Sequence, residues 1–320
     1  MTVATTSRPL SGTSLAIWRR SLLPALGVAV LILAPFVFYP VFLMKLWCFA
    51  LFACAYNLLI GYGGLLSFGH AAFFGSASYV TAHAAKIWGL PPELAILTGT
   101  ATAAIIGLLF GIVAIRRQGI YFAMITLGLA QMIYFLALQM PFTHGEDGIQ
   151  SVPRGHLFGV INLENMFAMY YTVALIFLGG YLIIYRISNS PFGSVLRAIR
   201  DNQPRAISLG YRIDRYKLLA FVLSAALSGL AASTKAIAFR IATLTDVQWQ
   251  MSGEVILMTL LGGMGTLFGP VVGAALVVSL HDYLATANVP VPVVIGVIFV
   301  VCILGFRRGI VGEIVALLKR

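Results

Sequence analysis

Apolar runs alternate with short polar links along almost the whole chain. Runs at 22–38, 41–60, 65–85, 95–115, 120–140, 167–185, 218–238, 252–261, 271–285 and 291–306 predict ten helices. Most approach the ~20 residues that cross a bilayer. The run at 252–261 is short for a crossing and predicts a tilted or broken helix. The stretch 61–85 is dense in Gly, Ser and Ala, a composition that permits close helix approach or a broken helix beside a cavity. The expected fold class is all-α, a polytopic transmembrane helical bundle of ten spans with short cytoplasmic helices. One membrane domain at 22–306 is expected between tails at 1–21 and 307–320.

Two polar interruptions stand out. The link 141–166 carries Glu146, Asp147 and Glu164 against Arg154. The stretch 190–217 carries Arg197, Arg200, Arg205, Arg212, Arg215 and Lys217 against Asp201 and Asp214. Within it Phe192, Val195, Leu196 and Ile199 recur at helical spacing and predict a short amphipathic helix. Asn202 is a candidate cap for a second short helix, with Pro204 in its first turn and Gly210 as its stop. The pair is expected to lie at the membrane surface, apolar faces down and arginines out, as a docking surface for another protein. The alternative is a basic loop that only sets topology. GGLLSFG at 63–69 and GGMGTLFG at 262–269 are alike and hold corresponding places in the two halves. A duplicated transporter core would show this, and so would chance among 32 glycines.

The chain is 60% hydrophobic and 10% charged, against about 25% charged in soluble domains. Its net charge of +11 does not point to nucleic acid, because the basic residues sit in links between apolar runs, where they set topology. With both termini inside, the outer side keeps only Lys45, Lys86, Arg154, Lys235 and Arg240 of the 21 basic residues. That asymmetry predicts a bacterial inner-membrane protein, multi-pass, with both termini cytoplasmic. Cys48, Cys54 and Cys302 lie in apolar runs without metal-ligand spacing and read as packing residues.

None of the five lysines follows a glycine, so the chain has no Walker A loop, and it lacks His-Glu-x-x-His, Gly-x-Ser-x-Gly and Cys-x-x-Cys. An enzyme reading has no nucleophile–base pair to rest on, and no catalytic, cofactor or metal site is expected. Ionisable groups inside the runs are few. Glu254, His281 and Asp282 fall near predicted span ends; His70 falls near the inner end of the third span. Ser67, His70, Tyr79, Thr126 and Gln131 are the candidates for lining a pathway, with hydrogen-bonded packing as the other reading of His70. With neither an ATP site nor an ion-coupling chain, a pathway energised by a partner is expected. The rival is a self-sufficient channel or ion-coupled carrier.

Six motifs occur in order: GYGGLLSFGHAAFFG (61–75), RRQGIYFAMITLG (116–128), THGEDGI followed by VPR (143–154), SPFGSVLRAIRDN (190–202), LGYRIDRYKLLAF (209–221) and LGGMGTLFGPVVGA (261–274). With them the chain resembles, from about 41 to 312, the LivM-type permease subunits of bacterial branched-chain amino acid ABC importers. The resemblance implies a heterodimer with a LivH-like permease, two cytoplasmic LivG/LivF-like ATPases that bind ATP and Mg, and a periplasmic solute-binding protein. No cofactor is implied in this chain. The stretch 190–210 is implied to meet an ATPase, with Arg197, Arg200, Asp201 and Asn202 in the LivM form. The general importer pattern Glu-Ala-Ala-x-x-x-Gly falls on Pro204, Arg205, Ala206 and Gly210, of which only Ala206 and Gly210 match, so no role for the Glu carries over. Where LivM-like chains commonly read Thr-Gly-Gly, this chain has His144 after Thr143. Relatives of the family import urea, short amides and aromatic acids as well as leucine, isoleucine and valine.

Overall fold

The computed structural model describes residues 31–286, together with 27, 293, 294, 296, 297, 300 and 309–313. The expected first span enters it as a helical stretch over 31–37. The expected last span and both tails lie wholly or largely outside the described residues.

The described helices are α1 (Pro40–Asn57, continued by a π-helical turn Leu58–Tyr62), α2 (His70–Lys86), α3 (Pro92–Ala114), α4 (Ile120–Gln139), α5 (Met166–Ser188), α6 (Pro191–Asp201), α7 (Gln203–Ser208), α8 (Ile213–Phe239), α9 (Trp249–Gly262) and α10 (Gly269–Thr286). Prolines open α1, α3 and α6, where the missing N–H costs nothing. Strands are two-residue pieces: β1 (Ile149–Gln150) pairs with β4 (Ile241–Ala242), and β2 (His156–Leu157) with β3 (Ile161–Asn162), both antiparallel. Among the described residues five helices, α1 with its π turn, α3, α4, α5 and α8, are long and apolar enough to cross a membrane. The chain is an all-α polytopic membrane bundle.

Burial sorts the spans. The α1 span is 89% buried, whereas α4 is 28% buried and turns most of its surface outward. The centre is α8, which packs on α1, α2 and α3. Small residues set the spacing. A Cβ on Gly229 of α8 would strike Ala103 of α3, and one on Gly107 of α3 would strike Ala225 of α8. Close approach of this kind substitutes for the hydrophobic drive that lipid cannot supply. Hydroxyls bond across the same contacts: Thr81 donates to Ser233 at 2.8 Å, and Ser224 donates to the Ala55 carbonyl at 2.6 Å.

The short helices begin inside the bundle. After β4 the chain turns back along α2, with Val247 against Gly75 and Asp246 accepting from the Ser78 hydroxyl at 3.3 Å. The first turns of α2 and α9 then meet, the Ala71 N–H donating to Ser252 Oγ at 2.8 Å. At 14 residues α9 is about 21 Å long, short of the ~30 Å hydrocarbon core. The run at 252–261 is thus a short helix, as expected, whereas the span expected from about 65 starts as a helix only at His70, after an irregular link. A Gly229→Leu change is expected to destabilise the chain by about 1–3 kcal/mol through overpacking. Gly128→Leu, in open space, is expected to leave it unchanged. Thermal unfolding of the two variants in detergent checks both outcomes.

Candidate functional site

The stretch 190–210 folds as two helices with the expected punctuation. The Gly193 N–H donates to Ser190 Oγ at 3.4 Å at the start of α6. Asn202 Oδ1 accepts from the Arg205 N–H at 3.1 Å and opens α7, with Pro204 in its first turn. Gly210 ends it at φ +85°, and the Tyr211 N–H bonds back to the Ala206 carbonyl at 3.2 Å. Leu196 and Ile199 are buried beneath α6, and Ala206 packs with Ile199 and Ile213.

The basic residues divide into two sets. Arg197 donates from Nη2 to the Ser188 carbonyl at 3.3 Å, and its guanidinium lies 5.8 Å from the centre of the Tyr62 ring. Arg200 donates from Nη1 to the Gly61 carbonyl, while its Nε and Nη2 hold Asp201 Oδ1 at 3.0 and 2.9 Å. Lys217 is buried and donates to Gln203 Oε1 at 2.8 Å. Arg205, Arg212 and Arg215 face outward. Arginines turned outward were expected throughout; instead Arg197 is half-buried, and Arg200, still 38% exposed, reaches back with Nη1 to the Gly61 carbonyl, because the ends of α5 and α1 offer carbonyls that helix geometry leaves unpaired. The outward face carries two apolar side chains among its charges, Ile207 at 58% and Leu209 at 68% exposure.

Two glycine-rich links meet beneath α6. Residues 63–69 join α1 to α2, and residues 263–268 join α9 to α10. Asn57, 2% exposed, donates to the Thr266 carbonyl at 2.8 Å and accepts from the Gly265 N–H at 2.9 Å. A Cβ on Gly61 would run into Asn57 and the Gly265 backbone. A Cβ on Gly64 (φ +66°) would meet Arg200 Cγ at 2.6 Å, and one on Gly265 (φ +74°) would lie 3.6 Å from Arg200 Nη1. Arg200 thus occupies a slot walled by both links, and glycine supplies both the room and the left-handed turns.

At the other end of the bundle Lys45, Lys235, Asp246, Glu254 and His281 line a cavity of about 410 Å³, with Phe49, Met258, Val277 and Val278 as its apolar wall. Lys45 pairs with Asp282 at 2.5 Å and Lys235 pairs with Asp246. Helix α9 joins the two regions: Glu254 lies in its second turn, and its last residue, Gly262, leads into the link at Arg200.

The profile of the family described as "Branched-chain amino acid transport system / permease component" matches residues 41–305. The chain belongs to this family. The chain is 27% identical over 255 residues to the high-affinity branched-chain amino acid transport system permease protein LivM of Escherichia coli (strain K12), and equally to that of Salmonella typhimurium (strain LT2). The matched segment covers 72% of this chain and 60% of each LivM protein. It is 28% identical over 198 residues to the autoinducer 2 import system permease protein LsrC of Klebsiella pneumoniae, covering 60% of this chain and 54% of that one. No solved structure matches it.

Most of the candidate pathway residues lie deep in the core. His70 is fully buried, with its ring edge-on to Tyr56 at 4.7 Å and Nε2 2.9 Å from Ser224 Oγ. Ser224 spends its one hydrogen on Ala55, so His70 donates from Nε2 and its Nδ1 stays without a partner among the described residues. Thr126 accepts from the Phe68 N–H at 3.2 Å, and Ser67 accepts from the Gly69 N–H at 3.2 Å. Both shape the link before α2. Tyr79 is buried with its hydroxyl unpaired among the described residues. Gln131 borders a separate cavity of about 200 Å³ with Tyr134, Gln248, Trp249 and Gln250. His144 takes φ +59°, the left-handed conformation that glycine favours.

Asn57, Ile207 and Leu209 are the residues that pattern reading passed over. Their signals are a lone amide in the apolar run 41–60 and two apolar side chains on the polar face of a short helix. Asn57→Ala leaves the Gly265 N–H and the Thr266 carbonyl unpaired and is expected to cost about 1–3 kcal/mol. Gly61→Ala strikes the same tie, so the double variant is expected to lose less stability than the sum of the two single losses. Full additivity in thermal unfolding would show that the tie is not shared.

Proposed function

We propose that this chain is a pore-forming permease subunit of an ATP-driven importer for branched-chain amino acids or related small solutes. In this reading it sits in the bacterial inner membrane with the 190–210 end cytoplasmic, beside a LivH-like second permease. Two LivG/LivF-like ATPases bind the ATP and Mg, and a periplasmic binding protein delivers the solute. The observation that carries the reading is the two-sided build of the basic end. Leu196, Arg197 and Arg200 fasten α6 to the bundle, while Ile207, Leu209, Arg205 and Arg212 are left facing out on and after α7. An apolar pair ringed by charge is the composition of a protein interface core.

The mechanism follows the contacts. Closure of the ATPases on ATP moves α6 and α7 together. Arg200 and Leu196 pass that displacement to the links at 61–64 and 263–265, which contain the residues free to change φ and ψ. Helix α9 then carries it toward the far cavity. Asp201 orients the Arg200 guanidinium, Asn202 holds the start of α7, and Gly210 sets the angle at which α8 leaves.

Co-expression with the neighbouring ATPase genes tests the reading. ATPases are expected to co-purify with the wild type and to be lost, roughly tenfold or more, with Ile207→Asp or Leu209→Glu, the scale of a hot-spot truncation. Phe158→Glu, on the exposed β2–β3 turn at the other end, is expected to retain them. Absence of ATPases from the wild type, or solute flux by the lone chain in liposomes, would favour a self-sufficient channel or carrier instead.

A further inference from the structure

We propose that the β2–β3 hairpin is a membrane anchor. Its tip, Phe158 and Val160, enters the boundary between lipid headgroups and acyl chains beside the starts of α3 and α5. The assignment requires only that the chain is a membrane bundle, and it stands or falls apart from the importer reading.

The hairpin is built to present its tip. The Leu163 N–H donates to the Gly155 carbonyl at 3.2 Å and closes the base. Leu163 is buried there, and Leu157 packs against the core of the bundle. The Val160 N–H donates to the Leu157 carbonyl at 3.1 Å across the turn. Between them Phe158 and Gly159 take φ +51° and +72°. Positive φ at both central residues suits the twist of a hairpin and favours Asn, Asp or Gly at the first of them. A bulky aromatic in that place is strained, and strain that the surrounding fold sustains points to a role. The result is Phe158 at 75% and Val160 at 83% exposure, on a hairpin whose leucines are turned inward.

The place of the hairpin decides what covers the tip. A Cβ on Gly155 would lie 3.4 Å from the Pro92 ring, which opens α3. Only Leu163, Glu164 and Asn165 separate β3 from Met166, which opens α5. The hairpin therefore stands between the starts of two helices long and apolar enough to cross a membrane. The first two turns of these helices expose Leu94 and Leu97 on α3, and Phe167 and Tyr171 on α5, with Trp88 just ahead of α3. A girdle of this kind, with Trp and Tyr in it, marks the boundary between water and lipid. The tip continues that surface.

Charge argues the same way. Residues 155–163 contain no Asp, Glu, Lys or Arg. The charges that flank them are engaged with the bundle: Arg154 donates to the Ala238 carbonyl at 2.6 Å, and Arg240 meets Glu164 at 3.5 Å. A protein interface sets its apolar centre in a polar rim, which the face after α7 has and this hairpin lacks. An apolar tip without charge suits the headgroup–acyl boundary.

The test uses p-benzoylphenylalanine, a photo-crosslinker that inserts into nearby C–H bonds. It replaces Phe158 in one full chain and Glu146, exposed in the charged link 141–166, in another. Each chain is reconstituted in liposomes of phosphatidylethanolamine and phosphatidylglycerol, irradiated and weighed by mass spectrometry. A phospholipid adduct is expected at position 158, roughly tenfold or more above that at 146, the scale of burying an apolar side chain. The same label in cells that also express the neighbouring genes is expected to capture lipid again. A protein adduct in its place would assign the tip to a docking partner. A lipid adduct no stronger than that at 146 would place the tip in water, and either result would overturn the proposal. Labelling Val160 instead keeps the test decisive if the label at Phe158 disturbs the turn.

Discussion

The hydrogen bond from Arg200 to the Gly61 carbonyl is the contact on which the rest of the architecture depends. A charged donor on a backbone acceptor contributes roughly 1.5–3 kcal/mol, and here it also fixes geometry. The guanidinium lies between Gly64 and Gly265; a Cβ at Gly64 would strike its stem, whereas one at Gly265 would only reach ordinary contact with it. Asp201 holds the other edge of the same guanidinium. One side chain thereby makes α6, the end of α1 and the end of α9 a single mechanical joint. The outward-facing residues of and after α7 are presented by that joint rather than by a free loop.

Rigid and yielding parts are separated by their chemistry. Between the helices, hydroxyls and small residues lock α1, α2, α3 and α8 together: Ser224 bridges Ala55 and His70, Thr81 meets Ser233, and Ala103 fits against Gly229. Such contacts are discrete and tolerate little sliding. The links at 63–69 and 263–268 are irregular, with left-handed glycines at 64, 263 and 265, and Asn57, Ser67 and Thr126 tie them to the bundle. Helix α9 is the element that leads from the links to the cavity with Glu254.

Much of this was legible in the sequence. The apolar runs placed the long spans to within a few residues, because length and hydropathy suffice for a helix in lipid. The caps at Ser190 and Asn202 and the stop at Gly210 are local chemistry, and local chemistry is what a single sequence displays. What was not legible depended on distant partners. Arg197 and Arg200 read as outward charges until the carbonyls of Ser188 and Gly61 came beside them. Ser67 and Thr126 read as pathway groups, but their partners make them link groups, and His70 takes the hydrogen-bonded packing that was its other reading. Glu254, His281 and Asp282 read as interfacial span ends; the fold draws the first two to one cavity and pairs the third with Lys45. The likeness of the two glycine-rich segments takes on a physical meaning too, since both are links between helices and they touch at Gly61 and Gly265.

The most direct test of the joint is solute uptake per ATP hydrolysed by the reconstituted complex carrying Arg200→Ala. The account predicts that the ATPases stay bound and hydrolyse ATP while uptake per ATP falls roughly tenfold or more, the loss of about 1.4 kcal/mol or more of coupling. Unchanged uptake per ATP in that variant would contradict it, and would mean that the displacement enters the bundle elsewhere.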